Sequence, residues 1–169
     1  PLHLFDVTSN TFSNHPDAGI IFDATVPTIS NNVITGANWG IGGFVVNGQA
    51  SVIKSNSITA PVGAGPVGIY IDDWDTGSPT TTATSNVSFN RISGHSHGFQ
   101  NNTASALTTE NNFWGCNAGP GNAGCDPVVG TGVTDANPWL TLTGIVAAPT
   151  SVNYSGASTI SSVSLRINS

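Results

Sequence analysis

The chain lacks methionine, and its 169 residues carry only three Lys and Arg against nine Asp and Glu. Three cations cannot form a phosphate-neutralising stripe, which argues against nucleic acid as a partner. An anionic membrane surface is disfavoured for the same reason. No run reaches the apolar length of a spanning helix, so no membrane insertion is expected. Helix formers are scarce: Glu110 is the sole Glu and Lys54 the sole Lys, set against 20 Gly and 10 Pro. No segment sustains the 3.6-residue period of an amphipathic helix. The sequence opens at Pro1, with no Met and no signal peptide, which fits a mature, processed or excised chain.

What the chain does have is a repeat: an apolar residue, two residues, Asn, one residue, then another apolar residue. It reads Val7-Thr-Ser-Asn10-Thr-Phe12, Ile29-Ser-Asn-Asn32-Val-Ile34, Ile53-Lys-Ser-Asn56-Ser-Ile58 and Val87-Ser-Phe-Asn90-Arg-Ile92. A degraded copy is Thr109-Glu-Asn-Asn112-Phe-Trp114. The Asn-to-Asn steps are 22, 24, 34 and 22 residues. The first four Asn are each followed by a Gly-apolar pair: Gly19-Ile20, Gly40-Ile41, Gly68-Ile69 and Gly98-Phe99. A unit this short cannot bury its apolar side alone, whereas stacked units share a continuous core.

The reading is a solenoid with Val7, Phe12, Ile20, Ile29, Ile34, Ile41, Ile53, Ile58, Ile69, Val87, Ile92 and Phe99 inward. Asn10, Asn32, Asn56, Asn90 and Asn112 are expected to form a ladder at a recurrent corner, where Asn tolerates a left-handed backbone. The paired Gly are expected to supply positive φ at a second corner. The long third step holds two insertions, residues 60–66 and residues 72–82, expected to project outward as loops. Composition alone also suits a disordered Ser/Thr-rich stalk, but apolar columns that recur in register argue against one.

The coils resemble the right-handed parallel β-helix repeat family, the pectate-lyase-like solenoids, over about residues 3 to 115. Asn111-Asn-Phe-Trp114-Gly115, Ala118-Gly-Pro-Gly121 and Asn137-Pro-Trp139-Leu140 resemble the segment that closes many secreted β-helix proteins. Ala148-Pro-Thr-Ser151, Gly156-Ala-Ser-Thr-Ile160 and Val163-Ser-Leu165-Arg-Ile167 resemble the opening strands of a bacterial immunoglobulin-like module. The resemblance implies an all-β chain: β-helix coils over 1–115, about four to five of them, a capping segment over 116–140, and a strand tail over 141–169. A whole immunoglobulin-like module needs ~100 residues, so the tail is either part of one or an assembly strand.

The two cysteines, Cys116 and Cys125, flank a Gly-rich loop and lack the Cys-x-x-Cys spacing or His neighbours of a metal site. A disulfide and an oxidising compartment are expected. Asn86-Val-Ser88, Asn101-Asn-Thr103 and Asn153-Tyr-Ser155 match the glycosylation pattern, which an Asn/Ser/Thr-rich sequence produces cheaply.

The one acidic constellation is Asp72, Asp73 and Asp75. Alternate carboxylates followed by Gly77 are half of a Ca²⁺ loop, so Ca²⁺ is the one cofactor to weigh; otherwise none is expected. A solvated loop is the plain alternative. Paired carboxylates also serve polysaccharide hydrolysis, but Lys54, Arg91 and Arg166 are all remote in sequence. His95 and His97 are read as solvent-facing corner residues; a zinc site would need a third ligand, and His3 and His15 belong to other coils. Trp114 and Trp139 are read as a cap over the last coil, and Trp74 as the exposed aromatic that meets carbohydrate.

The expectation is therefore a non-enzymatic structural or adhesive protein of the extracellular space or cell surface: an adhesin, surface-layer or filament subunit. Its partners would be copies of itself or neighbouring domains. The alternative is a carbohydrate-active β-helix enzyme or a carbohydrate-binding module.

Overall fold

The computed structural model describes residues 4–46, 50–61, 65–73, 84–148 and 159–168. Strands follow one another in threes. The first coil is β1 (Leu4–Thr8), β2 (Thr11–Ser13) and β3 (Ala18–Asp23); the second is β4 (Val26–Ser30), β5 (Val33–Thr35) and β6 (Trp39–Val45). The third is β7 (Ala50–Lys54), β8 (Ser57–Thr59) and β9 (Val67–Asp73); the fourth is β10 (Thr84–Ser88), β11 (Arg91–Ser93) and β12 (His97–Asn101). The fifth is β13 (Leu107–Thr108), β14 (Phe113–Trp114) and β15 (Val128–Gly130), followed by β16 (Thr134–Asp135). Every third strand pairs in parallel: sheet A runs β1-β4-β7-β10-β13-β16, sheet B β2-β5-β8-β11-β14, and sheet C β3-β6-β9-β12-β15. This is a parallel β-helix of about five coils, without a helix among the described residues. β15 and β16 lie inside residues 116–140 and extend two of the sheets by a strand each. An antiparallel pair, β17 (Leu140–Ala148) and β18 (Thr159–Ile167), follows.

The register puts like on like. Sheet B stacks Phe12, Ile34, Ile58, Ile92 and Trp114. Sheet A stacks Val7, Ile29, Ile53 and Val87, and sheet C stacks Ile20, Ile41, Ile69, Phe99 and Val128. All twelve residues expected inward are in this core or pack against it; Val7 and Phe12 are half-buried because, among the described residues, the first coil has a strand neighbour on one side only. Each buried Ile contributes about 1.5–3 kcal/mol of transfer free energy, so the columns supply most of the driving force.

The Asn ladder runs unbroken. The side-chain Nδ2 of Asn10, Asn32, Asn56 and Asn90 each donates to Oδ1 of the next, at 3.4, 3.0, 3.0 and 3.0 Å. The same Oδ1 atoms accept the preceding Asn backbone N–H at 2.8–3.0 Å. The spare Nδ2 hydrogens reach back to the carbonyls of Val7, Ile29, Ile53 and Val87. Buried amides are thereby satisfied on both sides.

Two expectations about the corners are corrected. The left-handed residue is not the ladder Asn but the one before it: Ser9, Asn31, Ser55, Phe89 and Asn111 have φ of 57–60°. The Asn must aim its amide inward, so its predecessor makes the turn. Nor do Gly19, Gly40, Gly68 and Gly98 have positive φ; they lie in or at the start of sheet C strands. They are Gly because of close approach: a Cβ on Gly40 would stand 2.3 Å from Cγ2 of Ile58, and one on Gly68 2.6 Å from Cγ2 of Ile92. The isoleucines of sheet B fill the volume that a side chain there would need.

The excess of the third step falls between β8 and β9 and between β9 and β10, but Asp72 and Asp73, expected in the outward loop, belong to β9, with Asp73 buried. Residues 62–64 and 74–83 lie outside the described residues, as does the start of the tail at 149–158.

Cys116 and Cys125 are bonded, which points to an oxidising compartment. The bridge anchors Asp126, whose carboxylate accepts the N–H groups of Gly94 and His95 at 3.0 Å each. Trp114 is fully buried at the end of its column. Trp139 is half-buried against the core and lies over Gly119, where a Cβ would meet the indole at 2.6 Å.

Candidate functional site

Strand alternation on sheet C sends Ile41, Gly43 and Val45 inward and leaves Gly42 and Phe44 on the outer face. The register then builds two outward columns: Ile21, Gly42, Tyr70, Gln100, and Asp23, Phe44, Asp72. Gly42 leaves a gap in the first. Trp39, at the start of β6, occupies it: a Cβ on Gly42 would stand 3.1 Å from Cε3 of the indole. The indole stacks on the Tyr70 ring at 4.8 Å between centroids and 13° between planes. Phe44 closes the group edge-on to Tyr70 at 6.0 Å. Three half-exposed aromatic rings thus cluster on the outer face of sheet C over β6 and β9.

A polar rim is tied to this platform. The Tyr70 hydroxyl donates to Oδ2 of Asp72 and accepts from Nδ2 of Asn102 at 3.1 Å. Asn102 Oδ1 accepts from Gln100 Nε2 at 3.1 Å. Burial first, and the Asp72 carboxylate next, push the Tyr70 hydroxyl up to about 12. The phenol therefore stays a neutral donor across the physiological range. Beside Trp39 a cleft of about 230 Å³ is lined by Asp17, Ala18, Ile21, Asn38 and Trp39. Aromatic faces with neighbouring amides, hydroxyls and carboxylates suit saccharides, whose rings offer an apolar face and an equatorial belt of hydroxyls.

Asp72 and Asp73 sit at the end of β9 on opposite faces: Asp72 engages Tyr70 outward, and Asp73 turns inward. Asp73 Oδ2 accepts from the Ala104 N–H at 3.3 Å, and its buried Oδ1 has no hydrogen-bond partner among the described residues. Asp72 Oδ1 accepts the Asp73 N–H at 2.8 Å. No group of three His, Cys, Asp or Glu among the described residues is placed to hold a metal. Asp75 and Trp74 lie outside the described residues, and so does His3.

His95 corrects the expectation of a solvent-facing pair. It is buried, and its Nδ1 hydrogen-bonds Oδ2 of Asp126 at 3.0 Å, while His97 begins β12 half-exposed. The first fixes a corner rather than a ligand set. Of the glycosylation matches, Asn101 is fully buried, with Nδ2 donating to the Ser105 and Val133 carbonyls. Asn86 is exposed on β10, and Asn153 lies outside the described residues.

The aromatic platform was not foreseen. Its signal is the repeat itself: residues aligned with Trp39 are Ala18, Val67 and His97, and those aligned with Tyr70 are Ile21, Gly42 and Gln100. Bulky aromatics concentrate in two adjacent coils of one sheet. No protein-family model matches the chain, and neither a curated protein nor a solved structure matches it. Its parallel β-helix architecture accordingly stands on its own strand order and register.

Proposed function

We propose that the chain is an extracellular adhesive module: a rigid β-helix that holds carbohydrate against the outer face of sheet C without turning it over. The observation that carries this reading is the Trp39–Tyr70 stack laid over Gly42, with Phe44 beside it and Asp72, Asn102 and Gln100 around it. The cleft face of Trp39, backed by Tyr70 and Phe44 on a rigid sheet, is a preorganised stacking surface, which lowers the ordering cost of binding. Absence of turnover fits the carboxylates: Asp72 is engaged with Tyr70 and Asp73 faces the core, so the two do not converge as hydrolysis requires.

Attachment to a larger surface assembly belongs to the same reading. The strands of the first coil have a sheet neighbour on one side only, and β17 and β18 pair only with each other, among the described residues. Such edges accept a further strand from a second copy or an adjoining domain, and an immunoglobulin-like module would supply one.

The test is co-sedimentation with insoluble polysaccharides, followed by affinity electrophoresis in soluble ones. Trp39→Ala and Tyr70→Ala should abolish retention while leaving the melting temperature within a few degrees of the parent. Retention unchanged in both variants refutes the reading. Release of reducing or unsaturated ends by the parent chain, lost in Asp72→Asn, overturns its non-enzymatic part.

A further inference from the structure

The cleft beside Trp39 has a charge as well as a shape. Asp17 lines it and is exposed, and its backbone is pinned because its carbonyl accepts the Trp39 N–H at 2.8 Å. Asp23 and Asp72 stand farther along the same outer face, on β3 and β9. Among the described residues no Lys or Arg stands on this face. Lys54 belongs to β7 in sheet A, and Arg166 to β18. Arg91 belongs to β11 in sheet B, where its Nη1 donates to Thr59 Oγ1 at 3.2 Å. These are all the Lys and Arg residues of the chain. Asp17, just before β3, and the sheet C carboxylates Asp23 and Asp72 therefore set a negative field over the platform, within a chain of formal net charge −6.

Such a field discriminates among saccharides. A uronic-acid polymer brings a carboxylate every residue and finds no partner for it, only repulsion. A neutral glycan is indifferent to the field. An amino sugar with a free ammonium gains from it twice, through the Asp17 carboxylate and through the electron-rich indole that walls the same cleft. We propose that the Trp39 cleft recognises a cationic amino-sugar unit, the ring against Trp39 and the ammonium toward Asp17. This rests on the reading of sheet C as a carbohydrate face and adds the class of sugar. The cleft volume of about 230 Å³ accommodates one pyranose ring.

The probes are short oligomers of glucosamine, of N-acetylglucosamine and of galacturonate, titrated by calorimetry between the carboxylate and amine titrations. Glucosamine oligomers should bind about tenfold more tightly than the acetylated series, with an affinity that falls as salt rises. Asp17→Asn should erase that preference and leave the acetylated series unchanged. Asp6→Asn, an exposed carboxylate on sheet A, should leave the preference intact and so separates a local site from the net charge. Trp39→Ala should abolish both series. A preference for galacturonate, no preference for the free amine, or a preference indifferent to Asp17→Asn overturns the inference while Trp39-dependent binding still supports the carbohydrate face. Absence of Trp39-dependent binding to all three overturns both.

Discussion

Replacing one rung of the Asn ladder should cost far more in the middle than at its start. Asn56 is the interior case. Its Oδ1 accepts from the Asn32 N–H and Nδ2 at 3.0 Å each, and its Nδ2 donates to Ile29 O and Asn90 Oδ1 at 3.0 Å each. In Asn56→Ala, Asn32 Nδ2 keeps the Val7 carbonyl and Asn90 Oδ1 keeps the Asn56 N–H. The Asn32 N–H and the Ile29 carbonyl lose their ladder partner in a dry interior. At about 1–3 kcal/mol per stranded group, with a small cavity added, the loss is about 3–5 kcal/mol. Asn10 is exposed at the outer end, and its Nδ2 reaches Asn32 Oδ1 only at 3.4 Å, so Asn10→Ala should cost about 0.5–1 kcal/mol. Urea unfolding of both variants measures the difference as a shift in midpoint at unchanged slope. Asn56→Asp sharpens the test, because a carboxylate there faces the Ile29 and Asn90 oxygens. Its folded-state pKa must lie above the unfolded one. The deficit is then smallest below the unfolded carboxylate value and grows as pH rises through the folded value. Equal losses at Asn10 and Asn56, or an Asp variant that gains stability with rising pH, would refute the ladder as a structural element.

Further outcomes follow from other contacts. Gly40→Ala should destabilise by about 2–3 kcal/mol, since its Cβ would meet Ile58 and the Gly68 carbonyl within 2.5 Å, whereas Gly65→Ala meets only Ser96 Oγ at 3.4 Å and should be near neutral by thermal melting. Reducing Cys116–Cys125, or replacing both by Ser, should cost roughly 2–3 kcal/mol, read by urea unfolding with intact mass as the check on the bond. Tyr70 should ionise near 12 by absorbance titration, with the late phase absent in Tyr70→Phe and earlier in Asp72→Asn. Because its folded value exceeds the unfolded 10.0, the stability it contributes should be present below pH 10 and fade as pH rises from 10 toward 12.

The architecture was legible because it is a periodicity, and a strand period of two repeated at a fixed step needs no long-range knowledge. The Asn ladder and the inward Ile columns were read correctly down to the residue. The corners were misread by one position, since Asn and Ser both tolerate positive φ and only the inward demand of the amide decides between them. The glycines were misread because their reason is steric and sits in another strand: Gly40 is determined by Ile58, 18 positions along the chain. The aromatic face escaped for a related reason. Trp39 and Tyr70 are 31 positions apart, and only the β6–β9 register makes them neighbours. His95 and Asp126 likewise meet only after the disulfide loop folds back over the fourth coil.

The ladder also makes coil number and loop length independent variables. Its rungs are separated by 22, 24, 34 and 22 residues, yet the rung-to-rung bond stays at 3.0 Å across the longest gap. A lineage can therefore duplicate or delete a whole turn, or enlarge the connection between β9 and β10, and lose no register elsewhere. Every amide in the row also points the same way along the axis, so a grafted coil is accepted in one orientation and refused in the other. For an engineer this is a cassette with a built-in polarity: recognition loops go into the corner, and the spine counts the turns.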